Sequence, residues 1–242
     1  MKTAVVLLLT ALIASGALAG NAYAQQPPQS DRADAIIQAE ATGLEPKLAA
    51  KGLKFGAPVY IAIYKSERML DLWSQGASGK FELFKSYPIC AMSGGLGPKV
   101  AEGDDQAPEG FYDITADQLN PNSNFDVSIN LGYPNAYDQA QHRTGAALMI
   151  HGSCISIGCY AMTDPSIEEI YALVYAALLE SDAPVPVHIF PFRMTAENMA
   201  GHAGSRWYSF WTLLKAGYDA FAATGRPPRI DVAAGQYVVT AQ

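Results

Sequence analysis

The chain has 242 residues, of which 50% are hydrophobic and 16% charged, with a formal charge of −7 at pH 7. That is enough apolar material for one well-packed domain with appendages. An acidic balance without a Lys/Arg cluster argues against nucleic acid as a partner. The absence of an internal repeat argues against a solenoid.

Lys2 precedes an apolar run over 4–19, and Ala22-Tyr23-Ala24 forms an A-x-A cleavage pattern before Gln25. This is the layout of a secretory signal peptide over 1–24, which predicts a periplasmic mature protein. The run is shorter than the about 20 apolar residues of a membrane span, so no stable membrane insertion is expected after cleavage. Residues 25–57 read as a linker and a helix, with Ile36, Ile37 and Leu44 set among charges at helical spacing.

Short runs of aromatic and β-branched residues then predict strands at 59–64, 69–73, 81–87, 111–115, 127–131, 147–150 and 185–189. A helix is expected from Asp164 as N-cap, with Pro165 at its first position. Ile167, Ile170, Tyr171, Val174 and Leu178 form its apolar stripe. His188 alternates with Val187 and Ile189 and reads as the other face of a strand. Beyond Thr195, Trp207, Tyr208, Phe210, Trp211 and Leu214 predict a packed C-terminal extension over 195–242, with a last strand near Tyr237. The main domain is then 58–194, and the fold class is α+β and β-rich.

The stretch Met149-Ile150-His151-Gly152-Ser153-Cys154-Ile155-Ser156-Ile157-Gly158-Cys159-Tyr160 carries the chemistry. A thiol is a weak nucleophile until its proton is removed, and an imidazole does this near neutral pH. Gly158 permits a sharp turn before Cys159, which would expose the sulfur and aim backbone N–H groups of Gly158 and Cys159 at a carbonyl oxygen. The Gly152 carbonyl is expected to fix the His151 tautomer, and Ser156 to bond within the turn. Together these residues read as a cysteine acyl-transfer site, with no cofactor and no metal required.

His151-Gly152 followed by Ser156-x-Gly158-Cys159 resembles the signature of the YkuD-type L,D-transpeptidases. Gly103-Asp104 with Ala107-Pro108-Glu109-Gly110 is similar to that family's Gly-Asp…Thr-Pro-x-Gly turn. The runs Ser93-Gly94-Gly95-Leu96-Gly97-Pro98-Lys99, Pro134-Asn135-Ala136-Tyr137-Asp138 and Pro191-Phe192-Arg193-Met194-Thr195 resemble its YafK branch more closely. The resemblance implies a YkuD-like sandwich or barrel of mixed strands, a helix after the cysteine, and a helical C-terminal extension. It also implies a Cys159 nucleophile with His151 as base, and peptidoglycan stem peptides as acyl donors cleaved at the L-centre of meso-diaminopimelate. Hydrolysis in place of transfer would release a diaminopimelate-linked outer-membrane lipoprotein.

Compared with the wider family, the His–Cys loop is short. Ile157 and Ala161 stand where the family has a second histidine and an arginine. Arg193 or Arg143 is then the candidate carboxylate clamp, and Ser156, Tyr160, Arg193 and Gly95 are the candidate substrate contacts.

Three cysteines in an oxidising compartment allow one disulfide and leave one thiol over. Cys90–Cys154 is one pairing, and a bridge from Cys159 to either is the alternative. His151, Cys154 and Cys159, with Cys90 or His142, also have spacing compatible with a structural zinc site in a non-enzymatic envelope binding module.

Overall fold

The computed structural model describes residues 26–242; the expected signal peptide lies outside them. In chain order the elements are α1 (Asp31–Ala49), β1 (Val59–Tyr64), β2 (Met69–Gln75), β3 (Phe81–Pro88), β4 (Gly110–Ile114), β5 (Leu119–Asn120), β6 (Ser128–Asn130), α2 (Ala136–Ala140), β7 (Met149–His151) and β8 (Tyr160–Ala161). They continue as α3 (Asp164–Glu180), β9 (Val185–Phe190), α4 (Ala196–Gly201), α5 (Tyr208–Thr224), β10 (Arg229–Ala233) and β11 (Gln236–Thr240). No helix of the described residues is long and apolar enough to cross a membrane.

The strands form two open mixed sheets and a hairpin, in the α+β, strand-rich class that the sequence predicts. The larger sheet runs β3-β2-β1-β9-β4, with β1 and β9 parallel and the other pairs antiparallel. β1 is buried along its whole length. Its alternate residues enter two different cores: Val59, Ile61 and Ile63 face one, and Tyr60, Ala62 and Tyr64 the other. A period of two on a strand covered on both faces produces this division.

The first core is closed by α1, α3 and the smaller sheet, β5-β6-β7-β8. The second is closed by α5, whose Phe210, Trp211 and Leu214 are buried with Phe190 and Phe192. The aromatic cluster of the C-terminal extension is thus core, with Trp207 and Tyr208 partly buried at its edge. His188 is 2% exposed, and its Nδ1 lies 3.2 Å from the Tyr60 hydroxyl.

A buried ion pair ties the two cores to the loops around the site. The Lys65 and Glu109 side chains are 0% exposed and 3.2 Å apart. Lys65 Nζ donates to the Gly97 and Ala107 carbonyls at 2.8 and 2.9 Å. Glu109 accepts from the Gly97 N–H at 2.6 Å and from Trp211 Nε1 at 2.8 Å. Each charge thereby gains hydrogen bonds that offset its desolvation.

Candidate active site

The smaller sheet sets the histidine and the cysteine on neighbouring strands. His151 ends β7, Cys159 immediately precedes β8, and the two strands pair in parallel with His151 opposite Ala161 and Ile150 opposite Tyr160. Carried back one residue, this register sets Cys159 beside Met149, which shares a face of β7 with His151. The thiol lies 3.6 Å from the Ala147 carbonyl oxygen. Burial pushes the Cys159 thiol up, while the Met149 N–H and the Lys99 ammonium pull it back.

His151 is 2% exposed, and its Nδ1 stands 2.6 Å from the Gly152 carbonyl oxygen. A carbonyl only accepts, so Nδ1 carries the proton and Nε2 is the basic nitrogen. The Phe125 ring covers His151 at 4.7 Å between centroids. Burial holds the imidazole below its ordinary range, and the Gly152 bond opposes this. Burial is the larger effect, so the ring is neutral near pH 7.

Glycine is required at both motif positions for different reasons. A Cβ on Gly152 would meet Asp164 Oδ1 at 2.6 Å and the Phe125 carbonyl at 2.7 Å. Gly158 has φ 143, where side chains are rarely tolerated, and its Cβ would press on Leu148 at 3.2 Å. Within the turn, the Ser156 hydroxyl accepts from the Gly158 N–H at 3.1 Å and donates to the Cys159 carbonyl at 2.7 Å. Ser156 therefore shapes the turn.

Several expectations need correction. The Gly158 N–H is committed to Ser156 and is not free for an oxyanion; among the described residues the Cys159 N–H has no acceptor. Tyr160 is 0% exposed and its hydroxyl donates to the Pro108 carbonyl at 2.7 Å, so it is a core strut and not a substrate contact. Successive strand residues face opposite sides, which is why the neighbour of an accessible cysteine is buried.

Arg193 is paired with Asp71 at 2.9 Å and lies over the Tyr64 ring, and Arg143 is paired with Asp138 at 2.7 Å. Both guanidiniums already hold carboxylates of the fold. Asp164 is the first residue of α3, after Thr163 at the N-cap, and its carboxylate accepts from the Ser153 N–H at 2.6 Å.

The cysteines divide cleanly. Cys90 and Cys154 form a disulfide, and Cys159 is the free cysteine of the described residues. The bridge consumes two of the donors that a zinc site would need, which removes the zinc-module reading.

Gly95 sits near the turn through Gln106. The Gln106 side chain accepts from the Gly95 N–H at 3.0 Å and donates to the Gly95 and Gly97 carbonyls at 2.6 and 2.7 Å. Its own carbonyl lies 3.7 Å from where a Gly158 Cβ would stand. Lys99, 4% exposed, pairs with Asp104 at 2.5 Å. Asp104 also accepts from the backbone N–H groups of Val100, Ala101 and Gln106.

Sequence reading missed Phe125, Lys99 and Asp164 as neighbours of the pair. The Ser93–Lys99 and Gly103-Asp104 runs carried a signal for Lys99, whereas nothing local marked Phe125.

The model of the YkuD family, the L,D-transpeptidase catalytic domain, matches residues 58–189. This chain belongs to the YkuD family. It is 50% identical over 185 residues to a protein of Escherichia coli strain K12 named "Putative L,D-transpeptidase YafK", spanning 76% of this chain and 75% of that protein. The namesake in Escherichia coli O157:H7 matches to the same extent.

Among solved structures, it is similar to a mutant form of the helical cell shape determining protein Pgp2 from Campylobacter jejuni (TM-score 0.45, 22% identity, 73% of this chain and 64% of that one). It is also similar to Bd1075 of Bdellovibrio bacteriovorus (TM-score 0.41, 15% identity, 73% of this chain and 78% of that one).

Proposed function

We propose that this YkuD-family protein is a periplasmic cysteine acyl transferase. Its substrates would be peptidoglycan stem peptides cleaved at the L-centre of meso-diaminopimelate, through a thioester on Cys159. The observation that carries this reading is a free cysteine in register with the strand ending in His151, whose Nδ1 is held by Gly152. In this scheme His151 Nε2 takes the thiol proton as Cys159 attacks the carbonyl carbon. The C–N bond then breaks, and His151 returns the proton to the leaving amine. The Cys159 N–H, without an acceptor among the described residues, would be the backbone donor to the developing oxyanion. Because burial holds the thiol up and the imidazole down, the resting pair is neutral and the proton moves during attack.

One observation favours hydrolysis in the second step. The loop between the two residues is short and turns Ile155 and Ile157 outward, 63% and 83% exposed, while Cys159 itself is half-buried. A half-buried thioester admits water more readily than a bulky amine, so amidase action that releases a diaminopimelate-linked lipoprotein follows more readily than transfer to an amine. Periplasmic location rests on the leader pattern over 1–24 and on the peptidoglycan substrates that the family implies.

The test incubates mature protein and Cys159→Ala with diaminopimelate-type sacculi carrying attached lipoprotein and identifies the soluble products by mass spectrometry. Products with wild type alone support the proposal, and a water-derived or amine-derived new end separates amidase from transpeptidase. Equal products from both proteins would sink it.

A further inference from the structure

The family match begins at residue 58, yet α1 reaches the candidate site from outside it. Ser30, the N-cap of α1, donates through its hydroxyl to the Pro121 carbonyl at 3.1 Å. One residue into the helix, Arg32 Nη2 faces three carbonyl oxygens of a single loop: Pro121 at 3.3 Å, Ser123 at 3.0 Å, and Asp126. That loop needs holding, because Asp126 has φ 68, a conformation uncommon for a residue with a Cβ. Between the clamped carbonyls stands Phe125. Its ring lies 4.7 Å from the His151 ring, and its carbonyl accepts the Gly152 N–H at 3.0 Å. The helix, the loop and the imidazole thus form one connected chain of contacts.

We propose that Arg32 is a positioning residue for the reaction. By gathering the carbonyls of the 121–126 loop, it keeps Phe125 over His151 and Gly152 under the imidazole, which excludes water from one face of the base. The α1 helix is then part of the active apparatus and not an appendage. The proposal rests on the role given to His151 above.

The charged groups around this assembly are Asp126 on the loop, Asp164 and Glu168 on α3, and Arg32 itself; Cys159, beside Met149 in the register of the neighbouring strand, is the titratable thiol on that side. Asp126 and Asp164 flank Gly152, where a Cβ would meet both. Loss of the Arg32 charge would by itself raise the proton affinity of His151, so the measurement needs salt at about 0.5 M, where the Debye length is only a few ångströms.

The experiment follows the His151 ring signal by NMR against pH, assigned with His151→Asn. It uses wild type, Arg32→Met, Arg32→Lys and Phe125→Leu, all as full mature chains. The expected result is an upward move of about half a pH unit for Arg32→Met and Phe125→Leu. Arg32→Lys, whose ammonium can meet the same carbonyls, should titrate as wild type does. In the sacculus assay the two displaced variants should lose roughly tenfold in kcat with KM little changed.

An Arg32→Met protein whose His151 titrates as in wild type overturns the proposal, and so does a shift in Phe125→Leu alone. The titration is read without substrate. Failure of the proposed activity would therefore leave this test standing, and failure of this test would leave Cys159 chemistry untouched.

Discussion

The two sheets are built on different principles. Strands β1, β2, β3 and β9 run for six to eight residues, and continuous backbone ladders and apolar contacts hold them. Strands β5 to β8, which carry the candidate site, are two or three residues long. So few ladder bonds cannot fix a catalytic geometry alone. Polar cross-links around the small sheet hold the candidate site: Ser156 within the turn, Asp164 on Ser153, Gln106 on the Gly95 loop, and Arg32 on the 121–126 loop. On the proposed function, the large sheet sets stability and the small sheet's cross-links set the geometry of the candidate site, and substitutions should separate the two.

The sharpest break in that comparison is the buried pair beneath the large sheet. Lys65→Met leaves Glu109 charged and enclosed, which should cost about 3–5 kcal/mol in urea denaturation. A smaller loss would mean that solvent reaches the pair. Next is the bridge between the sheets, which closes a loop with a sequence separation of 64. Cys90→Ser with Cys154→Ser should cost about 2–4 kcal/mol. Asp164 and Thr163 still hold Ser153, so most activity should survive in protein that remains folded.

Acid provides a third separation. Burial lowers His188 from 6.5 to about 3. Its folded value lies below its unfolded one, so the unfolded chain binds the extra proton as pH falls. The stabilisation is complete above about 6.5 and declines by roughly 1.4 kcal/mol per pH unit down to about 3. Denaturation midpoints of wild type and His188→Gln against pH should show that limb flattened in the variant. His151 is also held low, so activity should fall on the acid side as that base gains a proton.

The smallest effect on stability belongs to Ser156→Ala, about 1 kcal/mol. Its effect on kcat should be disproportionate, roughly tenfold, because the turn that presents Cys159 loses two bonds. Equal proportional losses of stability and activity would erase the distinction between the sheets.

What was legible in the sequence follows the same division. β1 and β9 are long, periodic and apolar, so their bounds can be read almost to the residue. His151 and Cys159 were legible because an imidazole, a thiol and two glycines stand in one short run. Tyr160 was misread as a substrate contact because proximity in the chain says nothing about facing direction, and Arg193 because a guanidinium's chemistry says nothing about prior pairing. Asp164 had the chemistry of an N-cap, yet its carboxylate serves Ser153 across the loop. β10 was not anticipated, since Pro227-Pro228 reads as a break and the strand's partner, β11, follows it in the chain. Phe125 and Arg32 act across distances in sequence that no local pattern encodes.

The central claim is a covalent acyl-enzyme on Cys159. Wild-type protein is mixed with soluble muropeptides, quenched in acid within the first turnover and digested for mass spectrometry. The account predicts the donor acyl mass on the peptide containing Cys159, removable by hydroxylamine and absent from Cys159→Ala. Product formation without that adduct, or with the adduct on another residue, would contradict it.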